Sequence, residues 1–231
     1  MKMTLPAREF ACGWLNTAVA SGTDRGRPQL HGTVLVESFG NEAVQLVAAD
    51  GSMLLSTTVG SVASDPSGVG LPSLDEAPDE SRVVIDTDGR MKALMGFVLR
   101  DAKAAEKEGD EPPPLTVEVR SGETPGIPTL SPDLDRQVMV VTTERERLEL
   151  PLYEGGFIAW RPLLAGHEPA PTEVVAFAAP LLARLGKLRD TQSYVSFTLA
   201  GPDGAAVFTV EAEPLLRGVL MPVHTPAPVP G

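Results

Sequence analysis

Three stretches of the chain carry apolar residues at helical spacing, and short apolar runs bounded by turn residues fill most of the rest. The first helical stretch is residues 7–20, where Phe10, Trp14 and Ala18 share one face. The second, residues 90–107, is the clearest, with an apolar stripe of Met91, Leu94, Met95, Val98 and Ala102. The third, residues 180–188, sets Pro180 in its first turn and Leu181, Leu185 and Leu188 on one face. Strands are expected at 32–39, 43–49, 53–59, 82–85, 115–120, 137–143, 147–153, 194–200, 205–211 and 216–223, with 173–177 extended and apolar. The turns Gly40-Asn41, Asp50-Gly51 and Gly201-Pro-Asp-Gly204 suit hairpins. Residues 60–81, 108–114 and 122–135 read as loops, because Gly, Pro, Ser and acidic residues cluster there.

Taken in order, these elements read as strand, helix and three strands, three times over, in units of about 55 to 85 residues. A hairpin meander with one helix on it is an α+β unit. One such unit leaves an open sheet edge and a half-covered helix, so the units are expected to pair.

The chain has 231 residues, of which 42% are hydrophobic and 22% charged. Those values suit a globular protein with one large domain or two small ones. Lys and Arg total 19 against 31 Asp and Glu, a net charge of -12. This excludes a uniformly basic nucleic-acid binder but leaves room for a local basic face. The single Cys12 excludes an intramolecular disulfide, and His31, His167 and His224 have no i, i+4 pairing that would seed a metal site. The N-terminus lacks the apolar core of a secretory signal, and no apolar run is long enough to span a membrane. A soluble cytoplasmic protein is the expectation.

Catalytic motifs are missing: there is no Gly-x-Ser-x-Gly, no P-loop, no His-Glu-x-x-His and no dinucleotide fingerprint. Asp86 and Asp88 fit a bare turn better than a cation site, and Cys12 fits a small buried hydrophobe. No catalytic residue, metal or cofactor is expected. The basic residues are more informative. On the second helix Lys92, Arg100, Lys103 and Lys107 fall within an arc of roughly 80°, away from the apolar stripe. Arg184, Lys187 and Arg189 form a smaller group at the third helix, and Arg25 and Arg27 lie in the loop after the first. From the residues alone, each group reads first as solvated surface charge.

Several strings resemble the bacterial DNA sliding clamp, the β subunit of DNA polymerase III. They are SGTDRGRPQLHGTVLVE with LVAADGSMLLSTTV, then RLELPLYEGGFIAWRPL, then VSFTLAGPDGAAVF with the terminal LMPV. Together they cover most of the chain. The resemblance implies a DNA-clamp fold with antiparallel sheets outside and helices on the inner face. Residues 1–162 would form one complete domain, 163–223 a half-size unit, and 224–231 a disordered proline-rich tail. Three units are one and a half clamp domains, where the family closes six domains into a ring.

The resemblance further implies a non-enzymatic processivity factor that encircles duplex DNA without reading its sequence. It would work in a bacterial cell or an infected host cell, as a homo-oligomer. Arg25, Arg27, Lys92, Arg100, Lys103, Lys107, Arg184 and Lys187 would meet phosphates. Val219, Leu220, Met221, Pro222 and Val223 would match the clamp strand whose apolar cleft captures short motifs of polymerases and clamp loaders. His224 and Val223 depart from the family at that rim. Two rivals stand beside this reading: a clamp-like interaction protein that forms no ring, and an unrelated enzyme on a β-rich scaffold.

Overall fold

A computed structural model describes the chain apart from residues 23–29, 64–81, 87–88, 122–136, 154, 166–167, 173, 190–193 and 224–231. Arg25 and Arg27, and the expected tail, therefore lie outside the described residues.

The chain opens with β1 (Lys2–Leu5), a strand that the helix-spaced reading of the N-terminus did not provide. Its KMTL alternation buries Met3 and Leu5 and exposes Lys2 and Thr4. Next come α1 (Ala7–Thr17) and a 3-10 turn (Ala18–Ala20). Three hairpin strands follow: β2 (Thr33–Phe39), β3 (Ala43–Ala49) and β4 (Met53–Gly60). A second cycle comprises β5 (Arg82–Asp86), α2 (Gly89–Glu108), β6 (Leu115–Ser121), β7 (Gln137–Thr142) and β8 (Arg147–Pro151). The last part holds α3 (Arg161–Leu164), α4 (Ala179–Leu185), β9 (Val195–Thr198), β10 (Ala206–Val210) and β11 (Glu213–Leu220).

The strands form two sheets, a four-stranded one in the order β1-β6-β7-β8 and a seven-stranded one in the order β5-β2-β3-β4-β11-β10-β9. Every ladder in both is antiparallel. The longer sheet is continuous because β11 returns to the edge of β4, with Leu216 opposite Thr57 and Leu220 opposite Met53. Gly218 sits mid-way along that junction. A Cβ there would lie 2.2 Å from Phe208 Cζ, so the missing side chain is what lets the Phe208 ring lie flat on the sheet.

The α1 and α2 helices pack against each other over both sheets. Phe10, Trp14, Met91 and Met95 join Val34, Leu46, Leu55, Val117, Met139 and Phe208 in one buried cluster. Two-residue periodicity gives the longer sheet a second, opposite face. There Leu35, Val47, Leu54, Val84 and Val219 pack beneath Trp160 and Leu164. The covering segment leaves β8 through a bridge from Leu152 to Ile85 and a hydrogen bond from Tyr153 N to Val84 O (2.8 Å). It then crosses the sheet to α3. Burying both faces is why β3 is buried at every position instead of alternating.

Of the extended run expected at 173–177, the described residues 174–177 form no strand. The described part of this segment crosses the ends of β9 and β11, bridging Ala170 to Ala200 and accepting one bond from Val223 N at Ala176 O. Lying across strand ends instead of beside a strand, it has no ladder to join, and Val174 stays 71% exposed. The expected 216–223 strand likewise stops at Leu220.

Candidate functional site

The helices bring Lys92 of the α2 basic group beside the basic group at the end of α4. A cleft of about 840 Å³ opens between α1, the 3-10 turn, α2 and the end of α4. Its walls include Trp14, Ser21 and Asp50 together with the cations Lys92, Arg184, Lys187 and Arg189. Lys92 comes from the first turn of α2, and the other three come from about 90 positions further along the chain.

Two polar clamps hold this arrangement. Arg184 donates Nε to Val19 O at 3.0 Å, donates Nη2 to the same carbonyl, and pairs Nη1 with the Asp50 carboxylate. Asp50 is already committed to the β3–β4 turn, accepting Ser52 N and Met53 N on Oδ1, each at 2.8 Å. One carboxylate therefore fixes both a hairpin turn and the α4 helix. The second clamp is Asn16, buried on α1. It accepts Arg189 N on Oδ1 at 2.5 Å and donates Nδ2 to Arg189 O at 3.3 Å. Asn16 thus holds the backbone after α4 as a strand neighbour would. Arg184 is spent on structure, while Lys187 and Arg189 are left exposed at the rim.

The rest of the α2 basic arc is exposed but lies further along the helix. Arg100 stacks over the Phe97 ring at 5.5 Å, and Arg145 approaches the same ring at 5.9 Å while bonding Asp101. Lys103 and Lys107 follow Arg100 on the same stripe. Near that end a smaller cleft of about 340 Å³ carries Asp101, Glu108, Asp110 and Glu144, so acidic groups flank the stripe.

The five residues 219–223 are split by burial. Val219 and Leu220 are core residues, Val219 beneath Trp160 and Leu164, Leu220 in the main cluster. Met221 and Val223 are each 41% exposed. Leu163 on α3 is exposed to the same degree, and α3 touches β11.

Sequence reasoning did not identify Asn16, Asp50 or Arg189 as parts of this cleft's frame. Asn16 and Asp50 are short polar residues in a helix and a turn, where their ordinary roles hide a long-range one. Among the described residues no group of His, Cys, Asp and Glu is arranged to hold a metal ion. Arg217, half-buried on β11, has its guanidinium pKa lowered from the ordinary value by desolvation.

Neither a protein-family model nor a curated protein matches this sequence. Solved structures do match its fold. A Pseudomonas aeruginosa DNA polymerase sliding clamp with a ligand gives a TM-score of 0.64 at 13% identity, covering 97% of this chain and 66% of that one. The same organism's sliding clamp bound to griselimycin gives 0.66 at 13% identity, with the same coverage. Caulobacter crescentus DNA polymerase III β gives 0.58 at 15%, again over 97% and 66%. The chain therefore has the sliding-clamp fold, and it spans about two thirds of the length of the clamps it matches. No described helix is long and apolar enough to cross a membrane.

Proposed function

We propose that this chain is a clamp-type processivity factor, a non-enzymatic scaffold that holds duplex DNA without reading its sequence and tethers a polymerase. The observation that carries the reading is the cleft where Lys92 meets Lys187 and Arg189 on the helical side of a clamp fold. In a chain of net charge -12, such a local basic concentration is a focused site for a polyanion. Lysine and arginine that meet phosphates position a duplex but carry no base preference, which is what sliding needs. Arg100, Lys103 and Lys107 extend the track along α2, and Arg25 and Arg27 belong to the same proposal. Arg184 supports the track by holding α4 in place.

Polymerase and loader motifs would dock where Met221 and Val223 are exposed beside Leu163, with Pro222 between them and Val219 as the floor, while Leu220 anchors the strand from the opposite face of the sheet. Methionine suits a surface that accepts varied apolar motifs. The working place would be the cytoplasm of a bacterial cell or an infected host cell, with several copies completing the ring.

One feature favours a second reading, a clamp-like interaction protein without a ring. The β4 edge is paired with the chain's own β11, so it is closed within one chain.

Equilibrium binding to two duplexes of unrelated sequence, over a range of salt, tests the proposal. Equal affinity for both, falling steeply with salt and lost in the Lys92→Glu, Lys187→Glu double variant, supports DNA clamping. Duplex binding that the double variant leaves unchanged, or no binding at low salt, overturns it.

A further inference from the structure

The basic cleft holds more than a duplex backbone can use. Its exposed cations are Lys92, Lys187 and Arg189, and none of these side chains has an ion-pair partner among the described residues. Asp50 does not offset them. Arg184 pairs with one of its oxygens, and the Ser52 and Met53 amides hold the other. The cleft therefore concentrates uncompensated positive charge around an enclosed space.

The α1 side of the same cleft is apolar, lined by Leu15, Ala18 and Val19 with Leu188 adjoining. Trp14 belongs to this side, and its ring is fully buried. Its Nε1–H has no acceptor. A buried donor left unpaired is costly and uncommon, and an acceptor carried in by a ligand would satisfy it. A duplex supplies no such group, because its phosphates lie on the outside of a stacked rod. They meet the cations and leave the apolar side empty.

We propose that this cleft is a binding site for a free nucleoside triphosphate. The phosphates lie against Lys92, Lys187 and Arg189, the base lies against Leu15, Ala18 and Val19, and one acceptor of the ligand faces Trp14 Nε1. The cleft volume of about 840 Å³ falls inside the range of about 300–1,000 Å³ that small-molecule sites occupy. A bare inorganic anion would leave the apolar side and the Trp14 donor unused. An uncharged aromatic would leave the cations unopposed. Only a ligand with a flat apolar part and a multiply charged tail engages both. The seat is also built in advance: Asn16 holds the backbone at Arg189, and Arg184 anchors α4 to Val19 O. Binding then spends little on ordering the protein.

This site goes beyond the duplex reading and does not rest on it, although the two share Lys92 and Lys187. A nucleotide in the cleft occupies the cations that a duplex would meet, so the two ligands exclude each other.

Calorimetric titration of the full chain with ATP, adenosine and inorganic triphosphate, in low salt without divalent cations, tests the site. Expected is saturable one-to-one binding of ATP that weakens as salt rises. Adenosine and inorganic triphosphate should each bind at least about tenfold more weakly. Lys187→Glu should weaken ATP binding by about tenfold or more. Trp14→Phe keeps a ring in the core but removes the N–H, and should weaken it by about fivefold. Ala18→Asp, at a half-buried position, sets a carboxylate against the seat and does the same if Trp14→Phe fails to fold. Three results would overturn the site: no saturable ATP binding, inorganic triphosphate bound as tightly as ATP, or ATP affinity indifferent to Lys187→Glu or to both wall variants. ATP should also displace a fluorescent duplex wherever the duplex binds. A chain that binds duplex but not ATP loses this site and keeps the clamp reading, and one that binds ATP but no duplex does the reverse.

Discussion

Arg161 donates Nη2 to Glu37 Oε2 at 2.7 Å, and the Glu37 side chain is fully buried. Glu37 lies on the sheet face opposite the helices, where the segment after β8 crosses, and Arg82 approaches its other oxygen at 3.3 Å. The Arg161 guanidinium also stacks over Trp160 at 4.5 Å. The pair therefore pins the crossing segment to β2, one strand in from the β5 edge of the longer sheet. Arg161→Ala leaves a buried carboxylate facing the more exposed Arg82, at an expected cost of about 3 kcal/mol. Arg82→Ala should cost under about 1 kcal/mol, because that side chain is 42% exposed. Urea unfolding at constant m-value measures both, and equal costs would contradict the assignment.

Gly218 is the tightest point of the junction between β4 and β11. A Cβ would press on the Phe208 ring and lie 2.9 Å from Leu54 O, which is backbone and cannot swing away. Gly218→Ala should destabilise by about 2–3 kcal/mol through overpacking. Adding Phe208→Leu should recover only part of that loss, since the backbone contact persists. Thermal unfolding of the single and double variants checks this, and full recovery would show that the ring alone sets the limit.

Asp50 offers a graded test of the α4 clamp. Asp50→Asn keeps an oxygen for the Ser52 and Met53 amides but gives up the charge facing Arg184. A loss of about 1 kcal/mol is expected, and about 2–3 kcal/mol for Asp50→Ala, which also frees the turn amides. Denaturation midpoints separate the two, and equal losses would mean that the turn alone matters.

The three longer helices and nearly all hairpins were legible because their periodicity and turn residues are local, whereas the four-residue α3 was not expected. Phe10 and Trp14, the Met91 to Ala102 stripe and the Asp50-Gly51 turn each state their structure within a few positions. β1 was not legible, since four residues of alternating pattern carry little signal beside a longer helix. Pairing across distance was also hidden. Nothing in MLLSTTVG or LLRGVL states that β11 will meet β4, and the burial of Glu37 depends on Arg161, 124 positions later. At the cleft, Lys92 and Lys187 were legible as helix-surface cations. That they share one cleft follows from Asn16 and Arg184, whose partners are backbone groups that a sequence does not display.

Arg184 separates a positioning role from a phosphate contact. Its three donors face Val19 O and Asp50, and its side chain is 19% exposed, so little of it is left for a ligand. Arg184→Lys keeps the charge but replaces a planar fork with one ammonium, which cannot reproduce those contacts together. The expected result is a loss of about 1–2 kcal/mol in stability with the salt dependence of duplex binding nearly unchanged. Lys187→Gln should do the reverse. Its exposed side chain contributes little to stability, and its removal should lower the slope of log affinity against log salt by about 1. A shallower slope in Arg184→Lys with unaltered stability would reassign Arg184 from the frame of the cleft to its binding surface.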